Sequence, residues 1–144
     1  MSVIDLDKTV KVDNKSTIKL AGKEYNLTFN DDFREKVTIT ETNVSKIIKK
    51  LNSDKFSDYV LDLSADKRKE TIANLINDLK RIATTGLDEL LGEGVGQQVW
   101  EYYNGSTDAV SAVIGALENA ADKAVEIKEN QNRAQRRAKY QTER

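Results

Sequence analysis

The residues with the most evident chemical potential lie between Leu87 and Gly105, in the stretch LDELLGEGVGQQVWEYYNG. Gly92, Gly94 and Gly96 alternate there, and glycines so spaced cradle phosphate where a backbone must approach an anion closely. The same stretch holds the single tryptophan, Trp100, and two of the five tyrosines, Tyr102 and Tyr103. The phosphate reading fails on context. A dinucleotide fingerprint needs a preceding strand and G-x-G-x-x-G, and a P-loop needs G-x-x-x-x-G-K-[ST]. Here Leu87, Leu90 and Leu91 read as a helical turn, and no Lys-Ser or Lys-Thr follows. The glycines read instead as a corner between helices, supplying left-handed or close-packed backbone. Gly92, Gly94 and Gly96 are then candidates for a hinge.

Other groups are weighed the same way. Asp31-Asp32 and Asp88-Glu89 are acidic pairs, but a cation loop needs several oxygens at fixed offsets ending in Glu. Acids at helix starts explain them better. No metal site and no cofactor is expected. Histidine and cysteine are both absent. That inventory excludes disulfides, thiolate chemistry, zinc fingers and histidine-based acid–base catalysis. Asp, Glu, Lys, Tyr and Ser remain as possible catalysts, yet none converge in a recognisable pattern. The expectation is a protein that is not an enzyme.

The side chains left for function are those that grip another polypeptide. Trp100, Tyr102 and Tyr103, with Leu90, Leu91 and Val99, span more than one helical face. They divide between core and interface, because aromatics left uncovered are the usual anchors of protein interfaces. Arg133, Arg136 and Arg137 fall on one face with Tyr140 if the end of the chain is helical. They are candidates for docking on a protein or for touching phosphate. The segment from Glu126 to Arg144 carries a net +3, leaving −4 on the remainder of a chain whose net charge is −1. An acidic body and the absence of any base-reading module make a nucleic-acid role the lesser one.

The elements that position these residues can be read in order. The chain has 144 residues, 33% charged and 38% apolar, and no proline. It suits one largely helical domain with a modest core. Ser2 to Lys15 alternates weakly and fits an edge strand or a disordered arm. Thr17 to Phe29, TIKLAGKEYNLTF, alternates clearly and turns at Gly22. A type II′ turn starting there sets Leu20 opposite Tyr25 and Ile18 opposite Leu27, all on one face. That face needs a helical cover. Asn30 or Asp31 caps a helix that runs to Asn52, and the β-branched run Val37-Thr38-Ile39-Thr40 leaves open one bent helix or two. SDKFSDYVLDLSADKRKE, residues 53–70, reads as a linker with an apolar patch at Phe56, Tyr59, Val60, Leu61 and Leu63. Ser64 caps the strongest helix, whose stripe is Ile72, Leu75, Ile76, Leu79, Ile82 and Ala83. Thr84-Thr85-Gly86 is expected to interrupt it. Ser106 or Thr107 caps the last helix, and after Ile127 a frayed polar tail is expected. The fold class is mainly α (α+β): an N-terminal β-hairpin over 17–29 packed on a small helical bundle, with a long C-terminal helix and basic tail. Residues 1–127 form the domain and 128–144 the tail. No segment approaches the ~20 apolar residues of a membrane helix, and none reads as a signal peptide. The expected location is the cytoplasm.

Taken together, these segments resemble a known family. IKLAGKEYNLTF followed by NDDFREKV is similar to the start of the tail assembly chaperones of long-tailed bacteriophages infecting Gram-positive hosts. LDELLGEGVGQQVWEYYNGSTDAVSAVIGAL resembles that family's acidic-apolar turn, its Gly-Glu-Gly corner and the helix beyond. NQNRAQRRAKYQTER resembles its Arg-rich ending. The resemblance runs from Thr17 onward and omits SDKFSDYVLDLS. It implies a helper of virion morphogenesis in the host bacterial cytoplasm, encoded by a phage or prophage. Such a protein keeps the tape measure protein soluble, helps bring tail tube subunits to it, and often has a longer frameshifted form. A homo-oligomer is possible. The other readings are a structural virion component, such as a tail-completion or head–tail connector subunit, and a small nucleic-acid-associated regulator.

Overall fold

The computed structural model describes residues 3–6 and 14–142, with the side chains of 3–6, 14–124, 133 and 137. The alternation over Ser2 to Lys15 falls largely outside them. A two-stranded antiparallel hairpin, β1 (Lys15–Leu20) and β2 (Lys23–Thr28), is followed by five helices: α1 (Asp31–Leu51), α2 (Asp54–Leu61), α3 (Ala65–Leu91), α4 (Val95–Tyr102) and α5 (Thr107–Thr142). The mainly α fold with its N-terminal hairpin is thus the observed one.

The hairpin turns one residue earlier than a type II′ turn at Gly22 requires. Leu20 pairs with Lys23, Ile18 with Tyr25 and Ser16 with Leu27. Ala21 and Gly22 are the two central residues, with φ of 51° and 78°. Two positive φ values are the signature of a type I′ turn, whose twist matches that of the strands. The error in register is two residues, so the face survives it: Ile18, Leu20, Tyr25 and Leu27 still share one side. Leu20, Leu27 and Phe29 enter the core. Phe29 meets Phe33 edge-on at 5.2 Å, which ties the hairpin to the first turn of α1.

Helix α1 is single and unbroken. Asn30 caps it, its Oδ1 accepting from the Phe33 amide at 2.9 Å. Val37 and Thr40 of the β-branched run are buried, and their burial outweighs a helix-propensity cost of a few tenths of a kcal/mol each. Helix α3 is also unbroken, contrary to the interruption expected at Thr84-Thr85-Gly86. Thr84 donates its hydroxyl to the Lys80 carbonyl at 2.8 Å, so it satisfies itself inside the helix. Gly86 is buried where α1 crosses α3. A Cβ there would strike the Thr40 side chain, so glycine sets how closely the two helices approach.

Residues 53–70 are not a linker. Ser53 caps α2, accepting from the Phe56 amide at 3.2 Å. Arg68 of α3 closes the other end, donating Nε to the Val60 carbonyl and Nη2 to the Leu61 and Leu63 carbonyls at 3.1–3.2 Å. These are carbonyls that a helix end leaves without partners. Ser106 rather than Thr107 caps α5, accepting from the Ala109 amide. The backbone of α5 stays helical to Thr142 instead of fraying after Ile127. Beyond Gly115 the segment contains neither glycine nor proline, and Ala, Glu, Lys, Gln and Arg dominate its last turns.

The core lies between α1, α3 and α5, with the hairpin and α4 closing its ends. Val37, Val44, Leu79, Leu87, Val99, Val110 and Ile114 are its largest fully buried side chains.

Candidate protein-binding surface

Two regions compete for the role: the α3–α4 corner that holds the sequence candidates, and the end of the molecule around α2. The corner is tightly constructed. Gly92 (φ 128°) and Gly94 (φ 84°) carry the left-handed backbone that turns the chain. The Gly92 amide donates to the Asp88 carbonyl at 2.9 Å, and the Gly96 amide donates to Asp88 Oδ1 at 2.7 Å. Asp88 therefore ends α3 and caps α4, which is the work of one of the acidic pairs considered as cation ligands. Gly96 takes no part in the turn. It sits inside α4, buried against α3, and a Cβ would fall on the Thr84 backbone. The helix that precedes the glycines is α3, not a strand, so the phosphate-loop context is absent.

The aromatic candidates are mostly used up here. Val99 is fully buried, with 0% exposure, and belongs to the core rather than to an interface. Leu90, Leu91, Trp100 and Tyr103 are half-buried against that core. Lys80 places its Nζ 3.6 Å from the Trp100 ring centre, a cation–π contact that closes the ring's outer face. Gly105, at φ 77°, lies so near the same ring that a Cβ would approach it to 3.1 Å. The Trp100 Nε1 is buried without a partner. Tyr102 is the exposed member at 57%, edge-on to Tyr103 at 5.1 Å. Arg133 and Arg137 are exposed on α5. Arg133 stands 26 residues beyond the start of that helix, about 39 Å along its axis. The side chain of Arg136 lies outside the described residues.

The end around α2 differs in kind. Of that helix only Val60 is buried. Tyr59 is 57% exposed, Leu61 67%, and Ile76 of α3 41%. A groove of about 600 Å³ runs along one side, its apolar floor made by Phe56, Tyr59 and Leu75 and its rim by Lys50 and Lys55. A second groove of about 360 Å³ lies on the other side, between Leu51, Phe56, Val60, Leu61 and Ile72. Phe56 is the wall between them. The signal for this surface was present in the sequence as the patch Phe56, Tyr59, Val60, Leu61 and Leu63. It was obscured by the assignment to a linker.

A third feature is electrostatic. On the seam between α1 and α5, Glu41 and Glu118 each keep an Oε2 buried with no hydrogen-bond partner. Glu41 receives one bond, from the Ser45 hydroxyl at 3.3 Å. Burial, then the Glu41 charge, then the Asp122 charge raise the Glu118 carboxyl above the ordinary glutamate value. Arg34 offsets part of the charge by pairing with Asp122 at 3.8 Å, an exposed and therefore weak bridge.

No protein-family model, curated protein or solved structure matches the chain. Among the described residues, no helix is long and apolar enough to cross a membrane, and no group of three or more acidic side chains is placed to hold a metal ion.

Proposed function

We propose that this protein binds another polypeptide through the apolar surface around α2, and that it does so as a phage tail assembly chaperone. The observation that carries the reading is the pair of grooves flanking α2, with Tyr59, Leu61 and Ile76 uncovered beside them. Contiguous apolar surface rimmed by charge is how a soluble protein presents a protein-binding site. A groove between short helices accepts the apolar stripe of an amphipathic helix. The resemblance of the hairpin, the Gly-Glu-Gly corner and the Arg-rich ending to the chaperone family supplies the client. It is the tape measure protein, a long helical chain whose apolar stripes need cover until the tail tube encloses it, and tail tube subunits are recruited to the complex. The host cytoplasm is where such assembly takes place.

The test is co-expression with a tape measure protein. The soluble yield of that protein rises with this chain and returns to baseline with Tyr59→Asp/Leu61→Asp. An unchanged yield contradicts the reading. Mass spectrometry of purified virions separates a chaperone, absent from the particle, from a tail-completion or connector subunit, which stays in it.

A further inference from the structure

The two grooves beside α2 differ in charge. Of the residues lining the larger one, only Lys50 and Lys55 are charged, and no acid lies among them. The smaller groove has no charged residue in its lining. The two lysines come from different elements, Lys50 from the last turn of α1 and Lys55 from the first turn of α2, so the fold brings them to one rim. Both are exposed, and among the described residues neither ammonium is held in an ion pair. Elsewhere cations do find acids, as Lys36 does with Asp32 at 3.0 Å and Arg81 with Asp78 at 3.8 Å.

Resting on the α2 surface as the client site, we propose what the larger groove selects: an amphipathic helix whose apolar stripe is edged by carboxylates on the side that meets Lys50 and Lys55. The stripe lies on Phe56, Tyr59 and Leu75, and the carboxylates pair with the two ammonium groups at the rim.

The helical phase of α2 fixes which edge carries the acid. Around its axis, at about 100° per residue, Ser57 and Leu61 are followed by Asp54 and Asp58, and these by Lys55 and Tyr59. Leu61 belongs to the smaller groove and Tyr59 to the larger. The two aspartates form the crest between them, exposed and outside both linings. A client carboxylate therefore meets ammonium inside the groove and aspartate on the crest. Acid is favoured on the edge toward α1 and opposed on the edge toward the crest. A helix with lysine in place of that acid sets like charges against one another, which costs affinity. A second copy laid groove on groove does the same, lysine against lysine.

The probes are two helical peptides of about 18 residues, long enough to hold their structure. Both have the same Leu and Phe stripe at i, i+3, i+4 and i+7. One has glutamate along one edge of the stripe and the other has lysine there; the opposite edge is glutamine in both. Binding to the full chain is read at low salt from the anisotropy of a dye on the peptide. The acidic peptide is expected to bind about fivefold more tightly, as two exposed ion pairs allow, and the advantage shrinks at high salt. Lys50→Glu/Lys55→Glu, at two exposed positions, reverses the order of the peptides. Carbodiimide, which joins a carboxylate to an ammonium held against it, couples the acidic peptide to Lys50 or Lys55 in preference to the other lysines. Circular dichroism confirms that the double variant keeps its fold. Equal affinities, or an order that the double substitution leaves unchanged, overturn the charge selection while leaving the α2 surface as the client site. Binding of neither peptide overturns both. A dimer of the chain alone, seen by sedimentation and dissociated by the acidic peptide, gives the groove to a second copy and overturns the proposal. The co-expression test changes Tyr59 and Leu61 and keeps both lysines, so its result stands independently.

Discussion

The α3–α4 corner and the α2 end of this protein invert what their compositions suggest. The corner has the glycines, the tryptophan and the paired tyrosines that read as a site, yet its parts are committed to holding two helices together. Gly96 is pressed on the Thr84 backbone, Asp88 caps α4, and Trp100 is closed between Lys80 and Gly105. The α2 end is composed like a loop, with Ser, Asp and Lys between scattered apolar residues, yet it keeps Tyr59 and Leu61 in the open. A residue type announces what it can do. Whether it remains available depends on what the rest of the chain has already placed against it.

That contrast can be broken most sharply at Gly96. Gly96→Ala drives a methyl group into backbone that cannot yield, and a loss of about 3 kcal/mol or more is expected in urea denaturation. A near-neutral result would show a soft corner and revive the hinge. Gly86→Ala meets a side chain instead, and about 2 kcal/mol is expected. Adding Thr40→Ala should return a large part of that loss, whereas a merely local helix effect would be indifferent to residue 40. Asp88→Ala removes a charged acceptor from the Gly96 amide, and about 1–2 kcal/mol should go with it. At the α2 end, Tyr59→Ser and Leu61→Ser should change stability by no more than about 0.5 kcal/mol each while abolishing capture of the client.

The α1–α5 seam gives a prediction of opposite sign. A carboxyl whose folded pKa is raised binds more protons in the native state than in the unfolded one. Stability from Glu118 is therefore present below the ordinary glutamate pKa and is lost as pH rises through the raised value. Glu118→Gln should raise the melting temperature at neutral pH and flatten the loss between acid and neutral conditions. A lower melting temperature at neutral pH would mean that the buried carboxylate has a partner after all.

Much of the fold was legible because its signals are local. Ser64 caps the helix it was assigned to, Asn30 and Ser106 are each one of the two residues offered for their caps, and the alternation of Ile18, Leu20, Tyr25 and Leu27 placed the hairpin and its inner face. What escaped depends on partners distant in sequence. Thr84-Thr85-Gly86 has breaker composition, but Gly86 lies where Thr40 of α1 leaves no room for a Cβ, and no local window contains Thr40. Residues 54–61 carry a short helical stripe in Phe56, Tyr59 and Val60, but eight residues set among Ser, Asp and Lys are too few to stand out from a linker, and Arg68, across the turn, supplies the donors that the carbonyls at the end of α2 need. The turn at Ala21-Gly22 was missed because alanine rarely takes a positive φ. The covering of Val99 and Trp100 escaped for the same reason: aromatic and apolar content is visible in a sequence, and burial is not.

The most direct test is hydrogen exchange of the full chain, alone and mixed with the proposed client, a tape measure protein. The account predicts new protection over α2 and the first half of α3, residues 54–78, with little change at the already protected corner from Gly92 to Gly105. Protection gained at the corner, with α2 exchanging as freely as before, would contradict it.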